Sequence, residues 1–300
     1  MNKITFNMKF KLLYIRQILI LVFLIICYQQ RAVSQGTDIS ITKNPSLFAE
    51  LSLGPSRSNI INEGTLSVSN MVSSKQNSFL GFLEIGYFFS THFGLSSGIG
   101  FTSAKTQLTL DAYQNKLNAV DSENESYERR VNGSDITEVQ KVGFLCVPLS
   151  IILRLPFNDK AAFFIQTGVG VSVPLSKTYN STGTFTYKGY YPAYNVLLEN
   201  LPAYGFSSNK NVTTNGELEL NHLSFNAAVS GGVDFFIKEN IQIAGAVCYN
   251  KTLSNISNYS TPDKFQLSTD VDQINSLMGG STKASVQLIS LKVSLRYYLK

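Results

Sequence analysis

The stretch Ile289-Ser-Leu-Lys-Val-Ser-Leu-Arg-Tyr-Tyr-Leu-Lys300 decides the fold. Ile289, Leu291, Val293, Leu295, Tyr297 and Leu299 share one side of an extended chain, and Ser290, Lys292, Ser294, Arg296 and Tyr298 share the other. A period of two is the signature of a β-strand, whose successive side chains point to opposite faces. Six apolar residues in phase suffice to cross a hydrocarbon layer, because a tilted spanning strand needs about 9–11 residues. The opposite face carries two cations. In a soluble sandwich the apolar side turns in, whereas in a membrane barrel it meets lipid and the polar side fills the interior.

Working back along the chain, the same alternation recurs in seven further segments: 46–54, 78–89, a strand opening at Phe93, 142–157, 161–175, 217–237 and 241–251. Three tight turns follow from Ser90-Thr91-His92, Asn158-Asp159-Lys160 and Lys238-Glu239-Asn240. Four long polar connections are expected at 55–77, 111–138, 176–216 and 252–282. Connections that run long, short, long, short to the end predict an all-β, eight-stranded antiparallel up-and-down transmembrane β-barrel. Its short turns are periplasmic and its long loops extracellular. Glycines on the interior phase (Gly94, Gly98, Gly100, Gly168, Gly170) suit a narrow barrel with little volume to fill. Pro148 falls mid-strand, and a local bulge is expected to accommodate it.

Composition bounds the remaining classes. Charged residues are 15% of the 300, against about 25% in an ordinary soluble domain. The net charge of +5 lies in residues 1–34, which hold Lys3, Lys9, Lys11, Arg16 and Arg31 and no acid. Of the 25 Lys and Arg, 20 therefore remain to face 20 acids, which gives no basis for nucleic-acid binding. Residues 1–34 read as a secretory signal peptide with an apolar core at 18–28 and cleavage between Ser34 and Gln35. Residues 35–45 read as a periplasmic tail and 46–300 as the barrel domain. Cys146 and Cys248 fall on the interior phase of non-neighbouring strands, as small fillers and not a disulfide framework.

The chain resembles the PorT-like outer-membrane barrel family, with the architecture of small OmpA- and OmpX-type barrels. The likeness covers roughly 45–300. It rests on Glu84-Ile85-Gly86-Tyr87-Phe88-Phe89, Gly98-Ile99-Gly100-Phe101, Val147-Pro148-Leu149 and Gly168-Val169-Gly170-Val171. It implies a Gram-negative outer-membrane location and an accessory role in protein secretion. The closing strand also resembles a barrel-assembly signal through Lys292, Tyr297 and Leu299, with Ser294 where that pattern has Gly. This implies handling by the assembly machinery.

On the interior phase lie Glu50, Glu84, Arg154, Asp234, Lys292 and Arg296, three acids facing three bases. Buried charges need partners, so a structural network plugging a monomeric barrel is expected, with an ion path as the alternative. The third connection holds six of the fifteen tyrosines: Tyr179, Tyr187, Tyr190, Tyr191, Tyr194 and Tyr204. Tyrosine gives rigid amphipathic contact area, which suits a surface for a protein partner, or equally an aromatic rim. His92 and His222 lack metal-ligand spacing, and neither a metal nor another cofactor is expected. The expected role is non-enzymatic, structural or surface-interacting, with outer-membrane lipid as the surroundings. The rivals are a small diffusion channel and a lipid-modifying enzyme using His222, Ser224 and Glu217 or Glu219.

Overall fold

The computed structural model describes residues 46–63, 71–158, 160–238, 240–259, 265–268 and 270–299. The expected signal peptide, the Ser34/Gln35 cleavage site and the periplasmic tail lie outside them. Ten strands follow in order: β1 (Ser46–Glu63), β2 (Val72–Phe88), β3 (Phe93–Val120), β4 (Ser126–Asn158), β5 (Ala161–Tyr191), β6 (Val196–Leu198), β7 (Ser207–Glu217), β8 (Ser224–Lys238), β9 (Ile241–Thr252) and β10 (Lys283–Leu299). Eight of them close a ring, β1–β2–β3–β4–β5–β8–β9–β10, in which every pairing is antiparallel and β10 returns to β1. β6 and β7 stand outside the ring. β7 pairs with Thr178–Tyr187 of β5 and β8 with Ala161–Ser172, so the two lie end to end along one partner.

The eight strand phases read from sequence are those of the ring. On β10, Leu291 and Val293 are each 62% exposed while Lys292 between them is 6% exposed. The same contrast runs round the wall, with Leu51, Ile85, Ile99, Leu149, Val169, Phe225 and Val247 outside and Ser52, Glu84, Ser96, Ser150, Gln166, Asn226 and Ala246 inside. On β10 the apolar belt runs from Ile289 to Leu299, which at a tilt of about 40° spans roughly 25 Å, the height of a lipid-facing band. Aromatics mark both edges of the belt. Phe89, Phe93, Phe157, Phe163, Phe235 and Tyr297 lie toward the turns, and Phe79, Phe101, Phe225 and Tyr249 toward the far end.

Three of the four expected loops are largely strand, and the fourth, 252–282, is a connection as expected. β1 continues to Glu63, and β3 and β4 run on to Val120 and from Ser126 around a turn at 121–125. β5 extends to Tyr191, and β7 occupies 207–217. The strand expected at 217–237 is instead two, broken at 218–223. The physical reason is an inversion of phase. Above the belt the apolar residues turn inward, as at Ile60, Leu108, Leu110, Val142 and Val286, because the surroundings there are water and not lipid. β4 rises from the belt through residues 142 back to 126, roughly 55 Å along the strand at roughly 3.3 Å per residue.

Pro148 needs no bulge. The β3–β4 ladder keeps its register but lapses between Ser97↔Leu149 and Gly100↔Cys146, and Ser97 Oγ donates to the Pro148 carbonyl at 2.8 Å. Pro55 is treated in the same way at the closing seam, where pairing lapses between Leu53↔Val293 and Ser56↔Ser290. A Cβ at the preceding Gly54 would run into the Leu291 carbonyl, so glycine lets the two backbones approach there.

Candidate functional site: a two-tier plug and a raised aromatic tip

The interior is filled in two tiers. The lower tier lies within the belt near the turn end. β1 and β10 place Glu50 beside Arg296 in register, and β2 places Glu84 on the other side of Glu50. Arg296 donates from Nε and Nη2 to Glu50 Oε2 at 2.9 and 2.5 Å, and its Nη1 lies 3.6 Å from Asp234 Oδ2. Arg154 donates from Nε to the same Asp234 oxygen at 3.2 Å. Gln242 Oε1 accepts from Arg154, Arg296 and Tyr298 at 3.2, 3.1 and 2.7 Å. Lys292 Nζ lies 3.5 Å from Glu50 Oε1 and donates to Gln166 Oε1 at 3.0 Å.

All six charged residues expected inside are buried in this tier. Five meet through ion pairs, whereas Glu84 joins them through neutral groups, accepting from Ser96 Oγ at 3.0 Å and Gln166 Nε2 at 3.4 Å. The guanidinium of Arg154 lies 3.8 Å from the centre of the Phe88 ring, and that of Arg296 lies 4.5 Å from Phe48. Flat cations stacked on rings fill the bore where methylene chains would leave gaps. Above this tier remains a cavity of about 60 Å³, lined by Glu84, Thr102, Cys146, Asn226, Cys248 and Lys292 among others. It has room for a few water molecules and not for a water column. Both cysteines are free.

The upper tier stands above the belt and is made by the chain between β9 and β10. Leu267, Ile274 and Leu277 are buried against Leu108, Leu110, Tyr113, Val131, Ile136, Phe185 and Tyr187 of the rising strands. Met278 seals the level below with Phe144, Leu218, Leu220 and Val286. One carboxylate fastens this segment. Glu138 of β4 is fully buried and accepts four hydrogen bonds, from Gln140 Nε2 (2.7 Å), Ser181 Oγ (2.7 Å), Ser276 Oγ (2.8 Å) and the Leu277 N–H (2.8 Å). Among the described residues it has no ion pair. Burial pushes its carboxyl above the ordinary carboxylate value of 4.5, and the four hydrogen bonds oppose that shift in part. Sequence periodicity does not single out Glu138, because it closes the polar stretch 111–138, whose composition resembles loop.

The tyrosines of the third connection divide. Tyr187 is fully buried in the upper tier, sharing a 2.8 Å hydrogen bond with Ser268 Oγ, and Tyr179 donates to the Ile274 carbonyl at 3.3 Å. These two belong to the plug. Tyr190, Tyr191, Tyr194 and Tyr204 gather at the raised tip. There Tyr127 stacks on Tyr191 with centroids 5.3 Å apart, and Phe206 meets Tyr127 edge-on at 5.7 Å. Tyr191 and Tyr194 donate to Asp121 Oδ2 at 2.9 Å and Glu125 Oε1 at 2.6 Å, tying the β3–β4 turn to the β5 hairpin. Tyr194 and Tyr204 remain exposed. His222 is exposed, while Ser224 is buried and donates to the Ser172 carbonyl at 3.3 Å. No hydrogen bond joins His222, Ser224, Glu217 or Glu219 to one another among the described residues. His92 stands in the turn after β2, away from them.

A closed antiparallel ring, a lipid-facing belt with aromatic edges and a polar, filled bore define an integral β-barrel of the Gram-negative outer membrane. No family model and no curated protein sequence matches the chain. Among solved structures it is similar to Neisserial surface protein A, at 8% identity and a TM-score of 0.36 over 85% of this chain and 99% of that one. It is similar also to the outer membrane protein OprG from Pseudomonas aeruginosa, at 13% identity and 0.37 over 87% and 99%. A third is the outer membrane protease OmpT from Escherichia coli, at 8% identity and 0.30 over 87% and 100%. All are distant, and the class stands on the ring and belt.

Two outcomes follow from the tiers. Glu50→Ala leaves Arg296 and Lys292 short of their shared acid, and urea unfolding in vesicles should show a loss of about 3–5 kcal/mol. The double variant E50L/R296M should lose less than E50A alone; a larger loss would mean that the pair is not the unit that matters. For Glu138 the docked carboxyl holds its proton more tightly than the undocked one. Docking stability is therefore full below the ordinary value of 4.5 and falls as pH rises through the raised one. A spin label at Gln273 should gain mobility as pH rises above 4.5 and through the raised value. In Glu138→Gln the label should stay immobile throughout, because the buried Gln140 Oε1, without a partner among the described residues, can turn to accept from the new amide. Equal mobility changes in both proteins would remove Glu138 as the fastening.

Proposed function

We propose that this chain is a non-enzymatic outer-membrane barrel that works through its raised sheet and not through its bore. The observation that carries this reading is the double closure of the interior. An ion-pair tier within the belt and an inserted segment above it leave, among the described residues, small cavities of about 60 and about 20 Å³ between them. An eight-stranded barrel is just wide enough for side chains to fill, so a bore filled in this way is a support, not a conduit. What the barrel supports is a sheet rising well beyond the membrane, whose tip presents Tyr194 and Tyr204 beside the acids Asp121 and Glu125. Rigid aromatic side chains at a protruding edge favour protein contact.

The PorT-like resemblance supports a place among accessory components of protein secretion, with the chain acting as a monomer after insertion by the assembly machinery. The channel reading requires both tiers to leave the bore together. The enzyme reading requires His222, Ser224 and a Glu to converge across a change of position of the 218–223 segment.

Planar bilayers containing the full chain should show no stable unitary conductance. In intact cells, a photo-crosslinker in place of Tyr194 or Tyr204 should form a protein adduct, whereas one at lipid-facing Leu291 should not. Stable openings, or the absence of an adduct at either tip position, would contradict the proposal.

A further inference from the structure

The outer wall just above the belt carries an arrangement that neither the plug nor the tip explains. Phe101 and Leu145 are cross-strand partners at the upper edge of the belt, both exposed to lipid. Four residues further up, the same pair of strands brings Lys105 directly opposite Lys141 on the outward face. Like charges directly opposite each other on a sheet repel. Neither lysine has an ion pair among the described residues. The neighbouring acid on this face, Glu217, lies two strands from Lys141, roughly 10 Å at about 4.8 Å per strand, and its carboxylate faces Lys177 at 4.0 Å.

Beside Lys141 the wall is concave. The hollow between β4, β5 and β7 is lined by Val139, Lys141, Thr178, Asn180, Asn215 and Gly216. Its polar groups are hydroxyl and amide, with Asn180 donating to Asn215. Directly below lie the exposed Leu145, Val173 and Leu175. Two unpaired cations, a hydroxyl- and amide-lined hollow and an apolar wall beneath them follow one another down the outer surface. That sequence matches a lipid whose head bears a phosphate on a hydroxylated sugar and whose tails point into the membrane. The lysines stand on the side of the raised sheet, hence in the outer leaflet.

We propose that Lys105 and Lys141 form a binding site for the phosphorylated sugar headgroup of an outer-leaflet glycolipid, with the hollow beside Lys141 taking the sugar. The phosphate sits between the two ammonium groups and cancels their repulsion. Thr178 and the Asn180–Asn215 pair offer hydrogen bonds to the sugar hydroxyls, and the acyl chains lie along Leu145, Val173 and Leu175. The site does not depend on what the tip binds.

The test is retention of lipid by the full chain, folded into phosphatidylcholine vesicles containing a minor fraction of bisphosphorylated lipid A. After mild solubilisation, native mass spectrometry counts lipid A molecules per barrel. K105Q/K141Q should retain about thirtyfold less lipid A than the natural chain, on the order of five- to sixfold per cation. K116Q/K283Q, which removes two exposed lysines higher on the sheet, should leave retention unchanged. Dephosphorylated lipid A should be retained poorly by every variant, and millimolar inorganic phosphate should fail to displace lipid A. Unchanged heat-modifiable gel mobility of K105Q/K141Q separates loss of binding from loss of folding. Equal retention by the natural chain and K105Q/K141Q, equal retention of the dephosphorylated lipid, or full displacement by inorganic phosphate would overturn the proposal.

Discussion

Inside a bilayer, backbone N–H and C=O groups have no water to turn to, and each one left unpaired costs several kcal/mol. The sheet must therefore close on itself, and here closure falls to the first and last strands. β1 and β10 pair over Leu47–Glu63, with Glu50 opposite Arg296 toward the turn end of the belt. Much else follows from that seam. It brings the two ends of the strand sequence together and fixes which faces look at lipid. It also forces every interior polar group to find a partner within a narrow bore. Gln242 receiving three donors and Asp234 shared by two arginines are consequences of that confinement.

A second constraint acts along each strand. One strand passes from lipid to water, and its apolar face changes sides as it does. Below the crossing, Leu145 and Leu149 look outward; above it, Val142 and Ile136 of the same strand look inward. The rising sheet thus acquires a water-soluble core of its own, and the segment before β10 fills it. Because this upper core stands outside the membrane, a single buried carboxylate can hold it. Glu138 gathers four donors with no counter-charge among the described residues, whereas the belt beneath holds balanced pairs.

The two constraints explain what could be read from sequence. The belt was legible because lipid tolerates one residue class over many positions, so Leu47 to Leu53 and Ile289 to Leu299 announce themselves. The interior charges were legible as exceptions to that phase. The rising sheet was obscured. Its inward face is sparsely apolar (Leu108, Leu110, Phe185) and its outward face is Thr, Asn and Lys, which compositionally resembles loop. Glu138 and the split of the tyrosines between plug and tip were hidden for the same reason. Phase cannot be assigned before the strand is recognised. Pro148 shows a subtler limit, since a side-chain hydroxyl from Ser97, not a bulge, supplies what the ladder lacks.

A filled barrel that lifts a sheet with an aromatic tip above the lipid, and holds a lipid headgroup at its waterline, is consistent at every level from alternation to electrostatics. All of it presumes the ring. Cysteines at Leu51 and Leu295, cross-strand partners on the lipid face, in a chain with Cys146 and Cys248 replaced by serine, measure closure most directly. Oxidation in outer membranes should join 51 to 295 in the folded protein and leave the offset pair 51 and 291 unjoined. Failure of the 51–295 bond, or equal joining at the offset register, would contradict the closed barrel.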